Sequence, residues 1–202
     1  MTRHWILTAA VVFATAASVS AAPIIDVGDH ELLPDTPDQT ITIHVSPGEQ
    51  MNEARGVDFF VMIGDGGPEL ADFGFDAGTP APAITSVDLE SGIFSGLSQS
   101  ETQSVPQFHG VTIGGDSFVE LDGLLATLTI DTTPREGVTF EPGDQWVLAV
   151  ADVLEADTNF EGTSAASTPG TLTIVPEPSS LGLLGAAALM MLRRRGATGP
   201  RT

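Results

Sequence analysis

The chain has 202 residues, 42% of them hydrophobic, enough for one domain with a core and too many for a disordered chain. It carries 27 acids against 7 basic residues, all arginine, and no cysteine. Such a charge repels phosphate backbones and argues against nucleic-acid partners, while the lack of thiols excludes disulfides and leaves stability to packing.

The charge is unevenly placed. Arg3, Arg193, Arg194, Arg195 and Arg201 lie in the terminal segments. Between Ala22 and Val175 only Arg55 and Arg135 stand against 26 acids, a net charge of −24. That body suits an aqueous, salt-screened exterior.

The chain opens with Thr2-Arg3-His4 and an uncharged apolar run from Ile6 to Val19. Val19-Ser20-Ala21 follows, a small-x-small site, then Ala22-Pro23. This layout is that of a secretory signal peptide over 1–21, cut by signal peptidase after Ala21. The run is shorter than the ~20 residues a spanning helix needs.

From residue 22 to 175, helical periodicity is nearly absent and short strand-like runs recur between Gly, Pro, Asp and Ser. Thr40 to Val45 alternates, with Ile41, Ile43 and Val45 on one face. Val57 to Ile63 is almost continuously apolar. Ile84 to Leu89 alternates, with Ile84, Val87 and Leu89 only approximately in phase. Phe108 to Ile113 and Phe118 to Leu121 flank Gly114-Gly115-Asp116, which predicts a hairpin turn. Leu124 to Ile130 predicts Leu124, Ala126, Leu128 and Ile130 inward. Trp146 to Ala151 and Thr171 to Val175 complete the set. The pattern predicts an all-β fold, an antiparallel sandwich or jelly roll.

The tail reads Val175-Pro176-Glu177-Pro178-Ser179-Ser180, then an apolar Leu181 to Leu192, then Arg193-Arg194-Arg195. The prolines keep the motif extended. Twelve helical residues reach only about 18 Å, short of the ~30 Å hydrocarbon core, so the segment suits a transient anchor. The arginines would stop transfer on the cytoplasmic side.

Candidate chemistry within the body is sparse. Gly162-Thr163-Ser164-Ala165-Ala166-Ser167 resembles a fragment of the subtilisin-like nucleophile motif, with His109 as its nominal partner. Pro169-Gly170 and a strand follow too soon for the helix that motif opens. His30, His44 and His109 have no H-x-x-x-H spacing. Acids gather at Asp65, Glu69, Asp72 and Asp76, and again at Asp152, Glu155 and Asp157 beside Asn159. Calcium is the one ion these clusters would suit, and neither matches the helix-loop-helix calcium signature. No other cofactor is expected. There is no tyrosine, and Trp146 is the only tryptophan past the signal segment. Trp146 is either core or a glycan platform, and Leu148 and Val150 on the same face favour core.

Two resemblances follow. Val175 to Arg195 resembles the PEP-CTERM sorting signal, which implies cleavage near Pro176-Glu177-Pro178 by an exosortase-type membrane transpeptidase. It also implies delivery to the cell surface or extracellular polymer. Val57-Asp58-Phe59-Phe60-Val61, Ile84 to Gly92, Leu124 to Ile130 and Gly170 to Val175 resemble the cohesin-like, carbohydrate-binding-module-like sandwich of about nine strands. The chain thus divides into 1–21, a body over 22–175 and a sorting tail over 176–202. The expected role is a non-catalytic structural or interaction protein at the cell envelope. The alternative is a binding module for polysaccharide or a protein, assisted by calcium; an exported hydrolase ranks last.

Overall fold

The computed structural model describes residues 22–49, 51–64, 70–71, 74–75, 81–134, 138–150 and 157–177. Along the chain run β1 (Ile24–Asp26), β2 (His30–Leu32), β3 (Gln39–Ser46), β4 (Glu53–Gly64), β5 (Leu70–Ala71), β6 (Gly74–Phe75), β7 (Ala83–Asp88) and β8 (Gln99–Val105). Then come β9 (Phe108–Glu120), β10 (Gly123–Asp131), β11 (Gln145–Val150), β12 (Asn159–Phe160), β13 (Thr163–Ser164), β14 (Ala166–Thr168) and β15 (Gly170–Ile174). Among the described residues none is helical, and no helix is long and apolar enough to cross a membrane. The apolar segments 6–19 and 181–192 lie outside the described residues.

One sheet has the order β14-β1-β3-β10-β7. The other runs β13-β12-β4-β11-β15-β2, with β9 on the opposite side of β4 and β8 beyond it; β5 and β6 form a separate pair. The inner faces meet in one apolar core, where Phe59, Phe94 and Phe160 are fully buried. In β3, Ile41, Ile43 and Val45 point inward while Thr42, His44 and Ser46 are exposed, as the alternation predicts. The described strands outnumber the nine or so expected because several are edge segments of two or three residues.

The first and last strands of the sandwich cross between the sheets together. β1 pairs in parallel with β14 in the first sheet, and β2 pairs in parallel with β15 in the second. At the crossing the backbones touch: a Cβ on Gly170 would lie 1.7 Å from the carbonyl oxygen of Gly28. Thr171 N donates to Asp29 Oδ1 at 3.0 Å across the same point.

Three local patterns depart from simple alternation, each through a bulge. The register of β10 on β3 shifts between Leu124 and Ala126, so Leu125 turns fully inward and Leu124 is only half-buried. On β7 the register shifts between Ile84 and Ser86, which explains the imperfect phase of Ile84 and Val87. Gly114-Gly115-Asp116 is not a hairpin turn. β9 runs through it for 13 residues, pairing Gly114 with Gly56 and Val119 with Ala54, so that 115–118 bulge out opposite Arg55.

Candidate functional site

The last core strand leads directly into the proline motif. Ile174 is buried and pairs with Leu32, and Val175 N donates to the Leu32 carbonyl at 2.8 Å. Gly143 N donates to the Ile174 carbonyl at 2.8 Å, and Ile174 N to the Asp144 carbonyl at 3.0 Å. The next two residues, Pro176 and Glu177, are exposed. Proline lacks the N–H that would continue the ladder, so the sandwich ends where the motif begins. Ala21, Pro178, Ser179 and Arg193 to Arg195 lie outside the described residues.

Trp146 is a core residue. It is 8% exposed, and its ring meets Phe140 edge-on at 5.6 Å. A ring so enclosed offers no platform to a glycan, which corrects that alternative for Trp146. The exposed ring is Phe118, 54% accessible, on the bulge of β9. The Arg55 guanidinium sits 4.4 Å from its centroid, a cation–π contact. Sequence reading passed over Phe118 because the glycine pair suggested a turn there.

A groove opens beside this pair, with a volume of about 360 Å³. Arg55, Asp58 and Glu161 stand around a floor that includes Gly56, Gly114 and Gly115. Gly56 is required by closeness, since a Cβ there would lie 2.2 Å from the Ile113 carbonyl oxygen. A Cβ on Gly114 would meet nothing within 4 Å, so this glycine leaves open space on the β9 side. Thr112 Oγ1 donates to Asp58 Oδ1 at 2.8 Å, and Asn159 Nδ2 to Asp58 Oδ2 at 3.5 Å. The carboxylate is therefore held in place before any ligand arrives. Arg55 is the only arginine or lysine among the described residues.

The remaining candidates do not converge. His44 is exposed, and the His30 ring contacts the Val27 carbonyl at 2.7 Å. His109 is buried; its Nε2 donates to the Ile84 carbonyl at 2.9 Å and its Nδ1 lies 3.2 Å from Glu101 Oε1. Burial lowers the imidazole pKa by more than the Ile84 carbonyl and the Glu101 carboxylate raise it. Ser164 Oγ donates to Asp157 Oδ2 at 3.0 Å, and Ser167 Oγ donates to the Val150 carbonyl. The protease-like fragment is thus spent on strand and loop hydrogen bonds. Asp65, Glu69, Asp72, Asp76, Asp152 and Glu155 lie outside the described residues, and among those described no group of three potential ligands gathers for a metal.

The body and the tail are similar to different known proteins. Residues 175–195 match the PEP-CTERM protein-sorting motif. No curated protein matches the chain in sequence. The fold is similar to a non-cellulosomal cohesin from the archaeon Archaeoglobus fulgidus, with a TM-score of 0.51, 15% identity, and coverage of 80% of this chain and 97% of that one. It is also similar to the third cohesin of ScaC from Acetivibrio cellulolyticus, solved with the ScaB dockerin (TM-score 0.53, 11% identity, 76% and 99% covered). A Clostridium thermocellum cohesin from a cohesin–dockerin complex gives a TM-score of 0.51 at 11% identity, with 80% and 99% covered. At these identities the likeness establishes the fold alone. The chain carries a PEP-CTERM sorting motif, the mark of an exported surface protein, behind a cohesin-like β-sandwich.

Proposed function

We propose that this chain is a non-catalytic interaction module that the cell exports, sorts by its C-terminal motif and displays at its surface or in extracellular polymer. Residues 1–21 act as the signal peptide, removed by signal peptidase after Ala21. Residues 22–175 form the acidic working domain. In the tail, 176–202, the apolar run holds the precursor in the inner membrane while Arg193, Arg194 and Arg195 stop transfer. An exosortase-type transpeptidase then cuts near Pro176-Glu177-Pro178. The observation that carries this reading is the abrupt change at Val175: its backbone is still bonded to Leu32, and the exposed Pro176 and Glu177 follow at once. The cut therefore removes the tail without dismantling the sandwich.

The dockerin-bound neighbours, the dispersed histidines and serines, and the strongly acidic body all support binding over catalysis. The partner is a protein or a polysaccharide of the cell exterior. Cell fractionation tests the sorting. Glu177→Ala combined with Pro178→Ala should leave a longer precursor in the membrane fraction while the unaltered chain reaches the surface. Equal processing of both forms would contradict it.

A further inference from the structure

The groove beside Arg55 has features that the sorting reading does not use. Its position follows from the sequence. Gly56 lets β4 and β9 approach, the bulge at 115–118 lifts Phe118 into solvent, and Gly114 leaves the floor uncovered. The opening of about 360 Å³ falls in the range of small-ligand sites.

The chemistry of the walls narrows the ligand. Arg55 supplies only donors, and Asp58 and Glu161, when ionised, supply only acceptors. Thr112 and Asn159 occupy part of Asp58, yet a carboxylate has about four acceptor positions, so Asp58 can accept more. Phe118 does not line the groove itself but stacks on Arg55, which does, and so supplies an exposed apolar surface next to it. One guanidinium against two carboxylates leaves the groove mildly negative, within a body of net charge −24. An anionic polymer meets repulsion there at long and short range. A cationic peptide is attracted at long range but meets the Arg55 guanidinium inside the groove, already seated against the ring. An uncharged, hydroxyl-rich ligand meets neither penalty and uses donors, acceptors and apolar surface together.

We propose that this groove binds an uncharged stretch of polysaccharide, its hydroxyls shared among Arg55, Asp58 and Glu161 and an apolar sugar face against Phe118. The proposal rests on the reading of the body as a binding module and names its ligand class.

Affinity gel electrophoresis of the full chain in mild detergent tests it. The gels contain hydroxyethyl cellulose or galactomannan as neutral probes, and polygalacturonate as the anionic one. Oligo-lysine in solution competes as the cationic probe. At least one neutral polymer should retard the protein, and added salt should leave the retardation intact. Phe118→Ala should weaken it about tenfold, the usual effect of truncating an aromatic anchor. Gly114→Val adds a side chain at a groove-lining position where a Cβ meets nothing within 4 Å, and should weaken it equally, at an unchanged melting temperature. No retardation by either neutral polymer, or undiminished retardation of Gly114→Val, would overturn the proposal. Retardation by polygalacturonate alone, or binding of oligo-lysine alone, would also overturn it, and loss of that effect in Gly114→Val would place a charged ligand in the same groove. In that case the body would still be a binding module, with a charged partner.

Discussion

His109 and Ile84 tie the two sheets together at one edge of the sandwich: the buried imidazole on β9 donates from Nε2 to the Ile84 carbonyl on β7 at 2.9 Å. Pro106, in the turn between β8 and β9, accepts from Ile84 N at 2.6 Å and strengthens the same junction. A carbonyl only accepts, so the bond fixes the proton of the neutral ring on Nε2. Nδ1 then presents a lone pair to Glu101 Oε1 at 3.2 Å and has no hydrogen-bond partner while the ring is neutral.

This arrangement makes stability depend on pH with a definite sign. The folded-state pKa of His109 lies below its ordinary value of 6.5, because desolvation outweighs the neighbours. Between the two values the unfolded chain binds more protons than the folded one, so folding weakens as pH falls. The contribution is intact above about pH 6.5 and is lost as pH drops through the folded value. His109→Gln can donate to the same carbonyl and has no proton to gain. The wild type should therefore lose melting temperature relative to His109→Gln as pH is lowered from 7.5 to 5. A constant difference across that range would contradict this assignment.

The crossing at Gly28 and Gly170 should tolerate no added atom. Gly170→Ala would place Cβ 1.7 Å from the Gly28 carbonyl oxygen, where backbone must move. A loss of about 3 kcal/mol or more is expected by chemical denaturation, at the upper end for overpacking. Gly114→Ala, with open space around its Cβ, should stay within about 0.5 kcal/mol of the wild type.

Trp146 should behave as a packing residue. Trp146→Ala removes a ring that is 8% exposed and contacts Phe140, so about 3–5 kcal/mol of stability should be lost. Retardation of the remaining folded protein in neutral-polysaccharide gels should match the wild type. Loss of binding without loss of stability would return Trp146 to the glycan site.

Much of this architecture is legible from side-chain alternation alone. Ile41, Ile43 and Val45 sit where their two-residue period places them, and the tail motif announces itself by composition. The misreadings share one cause. A bulge inserts a residue and shifts the phase there, and no local chemistry marks Leu125 or Thr85 as such a point. Gly114-Gly115-Asp116 has the composition of a turn, but its glycines serve close strand approach and a widened bulge. That error concealed Phe118 and Arg55, whose contact depends on four residues of β9 opposing one of β4. The His109–Ile84 bond was equally hidden, since its acceptor is a main-chain carbonyl 25 positions away.

Sorting by the tail requires that the mature chain end near Glu177. Mass spectrometry of the protein isolated from its native cells reads both termini at once. The first residue should be Ala22 and the last close to Glu177, with Arg193, Arg194 and Arg195 gone. A mature protein that retains those arginines would contradict sorting by the tail.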